Sequence, residues 1–135
     1  MKPNALYGLL AASCLTWIAS AGAAHHSVSA EFDQNQPIEF TGRVERIEWV
    51  NPHAYTHVEV ENSDGTVSTY RVQIGAPISL YRQGWRQESV PLGTVVHFEG
   101  IRAKNPASRN VNGDLTLEDG TRVWSGEGPA GRLDF

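Results

Sequence analysis

The apolar positions fall into two regimes. Residues 5 to 20, "ALYGLLAASCLTWIAS", form an almost unbroken run of apolar and small side chains, whereas from Pro37 onward apolar and polar residues alternate with the period of two that a half-buried strand requires. In "PIEFTGRVERIEWV" Ile38, Phe40, Val44 and Ile47 stand among polar partners, and the phase changes near Gly42, which predicts a bulge or a strongly bent first strand. "HAYTHVEVEN" alternates without a slip, with Thr56, Val58 and Val60 on one side and Tyr55, His57 and Glu59 on the other. Asp64-Gly65 suits a tight hairpin, after which "TVSTYRVQI" returns as a third strand.

The next segment breaks the period. "GAPISLYRQGW" predicts a short helix: Pro77 fits its first turn, Ile78, Leu80 and Tyr81 face a core, Gly84 ends it in a left-handed cap, and Trp85 folds back onto Leu80. "TVVHFEGIRA" resumes as a strand with Val96 and Phe98 on one face and Val95 and His97 on the other, and "NVNGDLTLEDGTRVW" closes as a hairpin turning at Asp119-Gly120. Three meandering strands, a helix, then two or three more strands is the order of an OB-like barrel, so the expected fold is all-β with one short helix, a five- to six-stranded barrel; a small β-sandwich of the same strands is the alternative.

Composition adds the compartment. Lys2 before the apolar run and small residues after it make a secretory signal peptide, with cleavage expected after Ala21, Ala23 or Ala24. A retained membrane anchor is a weaker reading, because Ala, Ser and Gly dilute the run and no basic flank follows. A lipoprotein at Cys14 is weaker still. The expected organisation is a signal over 1–23, a single barrel domain over 24–125 and a Gly-rich tail over 126–135, in a periplasmic or secreted protein. Cys14 is the only cysteine and would leave with the signal, which excludes a disulfide, a cluster or a thiol nucleophile from the mature chain. Eleven basic against fifteen acidic residues give a net charge of −4, or −5 once Lys2 is removed, and argue against nucleic acid as a partner.

The candidate chemistry lies in five histidines, His25, His26, His53, His57 and His97. Without cysteine, a metal site here would use imidazole and carboxylate. Cleavage after Ala23 would let the new amine, two amide nitrogens and His26 form the square-planar set that copper(II) and nickel(II) favour. Cleavage after Ala24 would let His25 chelate through its amine and ring, with His53 or His97 completing a T-shaped copper site. His53 sits in the corner "NPH", where Pro52 fixes its own torsion and extends Asn51. His53 and His57 would be about 13 Å apart on a straight strand, too far to share an ion, and His57 reads as a solvated strand residue. Trp49, Asn51, Tyr55 and Trp85 are the residues that could instead line a binding surface.

Catalysis finds less support. Ser27 beside His26 has neither a structured base nor an oxyanion hole, and Glu31, Asp33, Glu45, Glu48, Glu59 and Glu99 are scattered along strands as a solvated face would be. Three function classes remain: a periplasmic copper-binding or carrier protein using His25 or His26 with His53 and, as a further candidate, His97; a metal-free binding module for a small apolar ligand or a partner protein; and, least supported, an enzyme that uses a histidine-bound copper for oxidative chemistry. The segments "HHSVSAEFD", "GRVERIEWVNPHAYTHVEV", "GAPISLYRQGW", "GTVVHFEGIRAKN" and "LEDGTRVW", in this order, resemble a group of small exported bacterial proteins catalogued only as a domain of unknown function. The resemblance implies export and a single domain, and carries no activity with it. "AKNPASRN" departs from it, where such proteins have a Gly-containing turn.

Overall fold

Strand alternation and turn chemistry generate six strands and a short helix between the third and fourth of them in the computed structural model, which describes residues 28–124. The expected leader over 1–23, both adjacent histidines and the expected tail over 126–135 lie outside the described residues. The elements are β1 (Phe32–Glu48), β2 (Tyr55–Glu61), β3 (Val67–Gln73), α1 (Pro77–Arg82), β4 (Val95–Ala103), β5 (Asn110–Leu117) and β6 (Arg122–Trp124). The sheet order is β3-β2-β1-β4-β5-β6, and β3 also pairs with β5, so five strands form a ring with β6 added beside β5. The closing β3–β5 pairing is parallel and short, Arg71 opposite Asn110 and Val72 opposite Val111. The architecture is all-β with one short helix between β3 and β4, in OB-like order, and its closure is a seam rather than a full ladder.

β1 makes the ring possible. Its first part pairs with β4 as far as Arg43–Val95, and from Arg43 onward it pairs with β2, with a bulge between Val44 and Arg46. Gly42 lies where the strand changes partners, and a Cβ there would run into the Glu59 carbonyl and the Val58 side chain. The phase change in the sequence therefore has a cause: the strand bends where only glycine lets β2 approach.

The inward residues build one core. Val58, Val72, Val96, Phe98 and Leu80 are fully buried, and Phe40, Val44, Val111, Leu115 and Val123 pack with them. Phe40 is the middle of a three-ring stack, 4.5 Å from Tyr70 at 15° and 4.8 Å from Phe98 at 20°. Gly84 is left-handed (φ 92°), and the Trp85 N–H donates to the Leu80 carbonyl at 3.0 Å. Trp85 thus folds back into the core as its position after the helix implies. The expected three-residue face of α1 is corrected: only Leu80 is buried, while Ile78 and Tyr81 are each 56% exposed. A helix of six residues has room to point one side chain squarely inward.

β4 and β5 cross most closely at Gly100 and Gly113, which are register partners. A Cβ on Gly113 would strike the Glu99 carbonyl oxygen and the Gly100 Cα, both backbone atoms that cannot rotate away. Gly113→Ala should therefore destabilise the fold by about 2 kcal/mol, the usual scale of overpacking. Urea denaturation checks this, and a midpoint unchanged from wild type would mean that the crossing is looser than described.

Candidate functional site

The corner between β1 and β2 is built on a pinned residue. Ala54 is fully buried, its N–H donates to the Gly75 carbonyl at 3.0 Å, and its own carbonyl accepts the Ile74 N–H at 2.9 Å. These bonds extend the β2–β3 ladder past Tyr55 and fix the backbone one residue from His53. Asn51 and Pro52 are exposed and joined by a cis peptide, Trp49 packs partly buried against the core, and His53 is half-buried. No hydrogen bond or ion pair of the His53 ring occurs among the described residues. Both of its nitrogens are therefore uncommitted within the described part of the fold.

His57 differs from the solvated residue the sequence suggests. It is only 5% exposed, and its Nε2 lies 2.7 Å from Glu48 Oε2. Glu48 also accepts from Arg71 twice, at 2.8 Å from a terminal nitrogen and 3.2 Å from Nε. The Arg71 hydrogen bonds first, and that of His57 second, hold the Glu48 carboxyl down at about 2. A carboxylate only accepts, so Nε2 is the protonated nitrogen of His57. Arg71 donates in addition to Asn110 Oδ1 at 3.2 Å, and its guanidinium lies 3.7 Å over the Tyr55 ring. Side chains from β1, β2, β3 and β5 are thereby fastened together on the outside of the closing seam, a clasp whose members sit far apart in the chain.

His97 belongs to neither cluster. It pairs with Thr41 across β1–β4, where its Nδ1 is 3.2 Å from Thr41 Oγ1 and its Nε2 is 3.6 Å from Glu39. Thr41 and Glu48 are seven residues apart on β1, about 20 Å of strand at the usual rise, and the His53 corner lies beyond Glu48. The structure does not bring His53 and His97 together. Among the described residues no group of three or more His, Cys, Asp or Glu side chains could hold a metal. Of the aromatic residues, Tyr55 lies under Arg71 and Trp85 is buried in the core. An open groove of about 590 Å³ runs instead beside the end of β1, lined by Arg46, Ile47, Gln87, Glu88 and the Val90–Leu92 segment.

The chain matches the sequence model of DUF6152, a family of unknown function, over residues 12–112. It belongs to that family. The matched stretch carries the corner, the clasp and the strands of the ring from β1 into the first residues of β5, so the DUF6152 match includes most of the closed part of the fold. No curated protein and no solved structure matches the chain. No helix among the described residues of this DUF6152 protein is long and apolar enough to cross a membrane.

Sequence reasoning missed the clasp in this DUF6152 chain because Glu48 was one scattered carboxylate among many. A signal existed once the meander was placed: alternation puts Glu48, Tyr55, His57 and Arg71 all on the outer face. The register then sets Glu48 opposite Tyr55 and His57 opposite Arg71.

Proposed function

We propose that the protein is an exported carrier of a transition metal, copper, held by His53 together with nitrogen donors of His25 or His26 after the leader is removed. One observation carries this reading. His53 is a half-buried imidazole on a pinned backbone with neither ring nitrogen engaged among the described residues, which is the condition a metal requires of a histidine ligand. His97 is left out of the set because Thr41 and Glu39 flank its ring far along β1. His57 has the carboxylate partner that often orients a metal-bound histidine. It is nevertheless left out, because it lies between Arg46 and Arg71 in the sheet register, where a dication would face two guanidinium groups.

The test is native mass spectrometry of the exported protein. The mature chain should start at Ala24 or His25 and retain one copper; His53→Ala should abolish retention, as should His26→Ala where the chain starts at Ala24 or His25→Ala where it starts at His25, while His97→Ala keeps it. Full uptake by His53→Ala, or none by the mature wild type, would sink the proposal.

A second reading is favoured by the groove beside the end of β1. Ile47, Val90, Pro91 and Leu92 give it an apolar wall, with Leu92 68% exposed, and Gln87 and Glu88 add polar groups at its edge. A metal-free binding module would place a small apolar ligand there. Absence of copper uptake, with a ligand-dependent change in tryptophan fluorescence that Leu92→Ser removes, would favour it.

A further inference from the structure

The helix α1 turns large apolar side chains away from the core. At about 100° per residue, Ile78, Tyr81 and Arg82 share one arc of the helix, and that arc lies opposite Leu80, the residue that enters the core. Ile78 and Tyr81 are each 56% exposed, on a face where a surface helix ordinarily carries polar residues. The core accounts for Leu80 and does not account for them. Two guanidinium groups share this face. Arg86 lies 4.0 Å over the Tyr81 ring and donates to the Tyr81 and Trp85 carbonyls at 3.2 and 2.6 Å, which seats its charge beside the ring. Arg82 is exposed and stands one turn after Ile78.

The sign of the patch runs against that of the protein. From Ala76 to Gln87 the chain has two arginines and no acidic residue, whereas its net charge is −4, and the next acid, Glu88, lines the groove beside β1. Apolar and cationic side chains on one face fit a surface that carries negative charge above an apolar layer, which is an anionic membrane interface. The arginine stems lie along the apolar layer there, with their guanidinium groups among the lipid phosphates. A second copy of the chain fits less well, because a symmetric contact would set the arginines of one copy against those of the other. A specific protein partner would find too little surface: the two apolar side chains expose a few hundred Å² at most, against roughly 800 Å² per partner at a standard interface.

We propose that the outward face of α1, Ile78 and Tyr81 with Arg82 and Arg86, docks the domain on the surface of an anionic membrane. The helix lies on the lipid and does not cross it, as its six residues require. The contact is independent of the copper reading, because it uses none of the histidines.

The test is co-sedimentation of the exported protein with vesicles of phosphatidylglycerol, and separately of phosphatidylcholine, at low ionic strength. Binding to phosphatidylglycerol is expected to be at least about tenfold tighter, since each arginine near an anionic surface contributes about fivefold. Arg82→Gln should weaken it by about fivefold for the same reason. Ile78→Ser and Tyr81→Ser should each weaken it by about fivefold, the effect of withdrawing half of such a side chain from an apolar layer. Val67→Ser on β3, where the side chain is 57% exposed, and Arg122→Gln on β6 should leave binding unchanged. No sedimentation with phosphatidylglycerol, equal binding to the two lipids, or equal weakening by Val67→Ser would overturn the contact. Competition by soluble polyglutamate as strong as that by the vesicles would assign the face to an acidic polypeptide and would overturn it as well.

Discussion

Replacing Phe40 by alanine should destabilise the protein by about 3–5 kcal/mol, the range of Phe-to-Ala changes in packed cores. Phe40 is the middle ring between Tyr70 and Phe98, so its loss opens a cavity bounded by two aromatic faces and forfeits both stacking contacts. The neighbours cannot collapse into the gap easily. Tyr70 is held by β3 near the closing seam, and Phe98 by β4, which is paired on both sides. Phe40→Leu keeps most of the apolar volume and should recover more than half of the loss. Urea unfolding with an unchanged slope is the measurement. A cost below about 1.5 kcal/mol, a value typical of volume-conserving swaps, would mean that the rings do not form a stack in solution.

The same three rings show what the chain makes legible. Phe40 and Phe98 could be assigned inward from alternation alone, because a period of two leaves each strand with one face to bury. The turns at Gly65 and Gly120 were readable because both glycines carry the left-handed torsion those loops need, φ 80° and 83°. With the strands in order and the helix after the third, the OB-like arrangement follows from adjacency of consecutive elements. The short parallel seam does not follow, since Arg71–Asn110 and Val72–Val111 join residues that no local pattern relates.

The site was legible to a different depth. Pro52 marks the corner, and the structure places His53 there with its backbone held through Ala54. Outward polar residues were opaque. An alternating strand assigns Glu48, His57 and Arg71 to the face away from the core, where the default expectation is solvation. Only the register shows that they meet and that His57 is buried in doing so. Charge pairing across strands is a tertiary fact, whereas apolar alternation is a local one.

That distinction leads to the second large effect. Glu48→Ala should cost about 3 kcal/mol, because it leaves the buried His57 Nε2–H without its acceptor and strips Arg71 of a two-point carboxylate partner. Glu48→Gln should cost less, since the amide oxygen can still accept one bond. Stability should also depend on acid in a defined way. Glu48 titrates at about 2 in the folded protein against 4.5 ordinarily, so the unfolded chain takes up this proton first as pH falls. The contribution of the carboxylate is fully present above about 4.5 and is lost progressively as pH drops toward 2. Urea midpoints for wild type and Glu48→Gln, measured from pH 7 to pH 2, should converge at the acid end. Curves that remain parallel would show that the clasp does not carry this charge, and with it would go the account of how side chains from four strands secure a seam of two residue pairs.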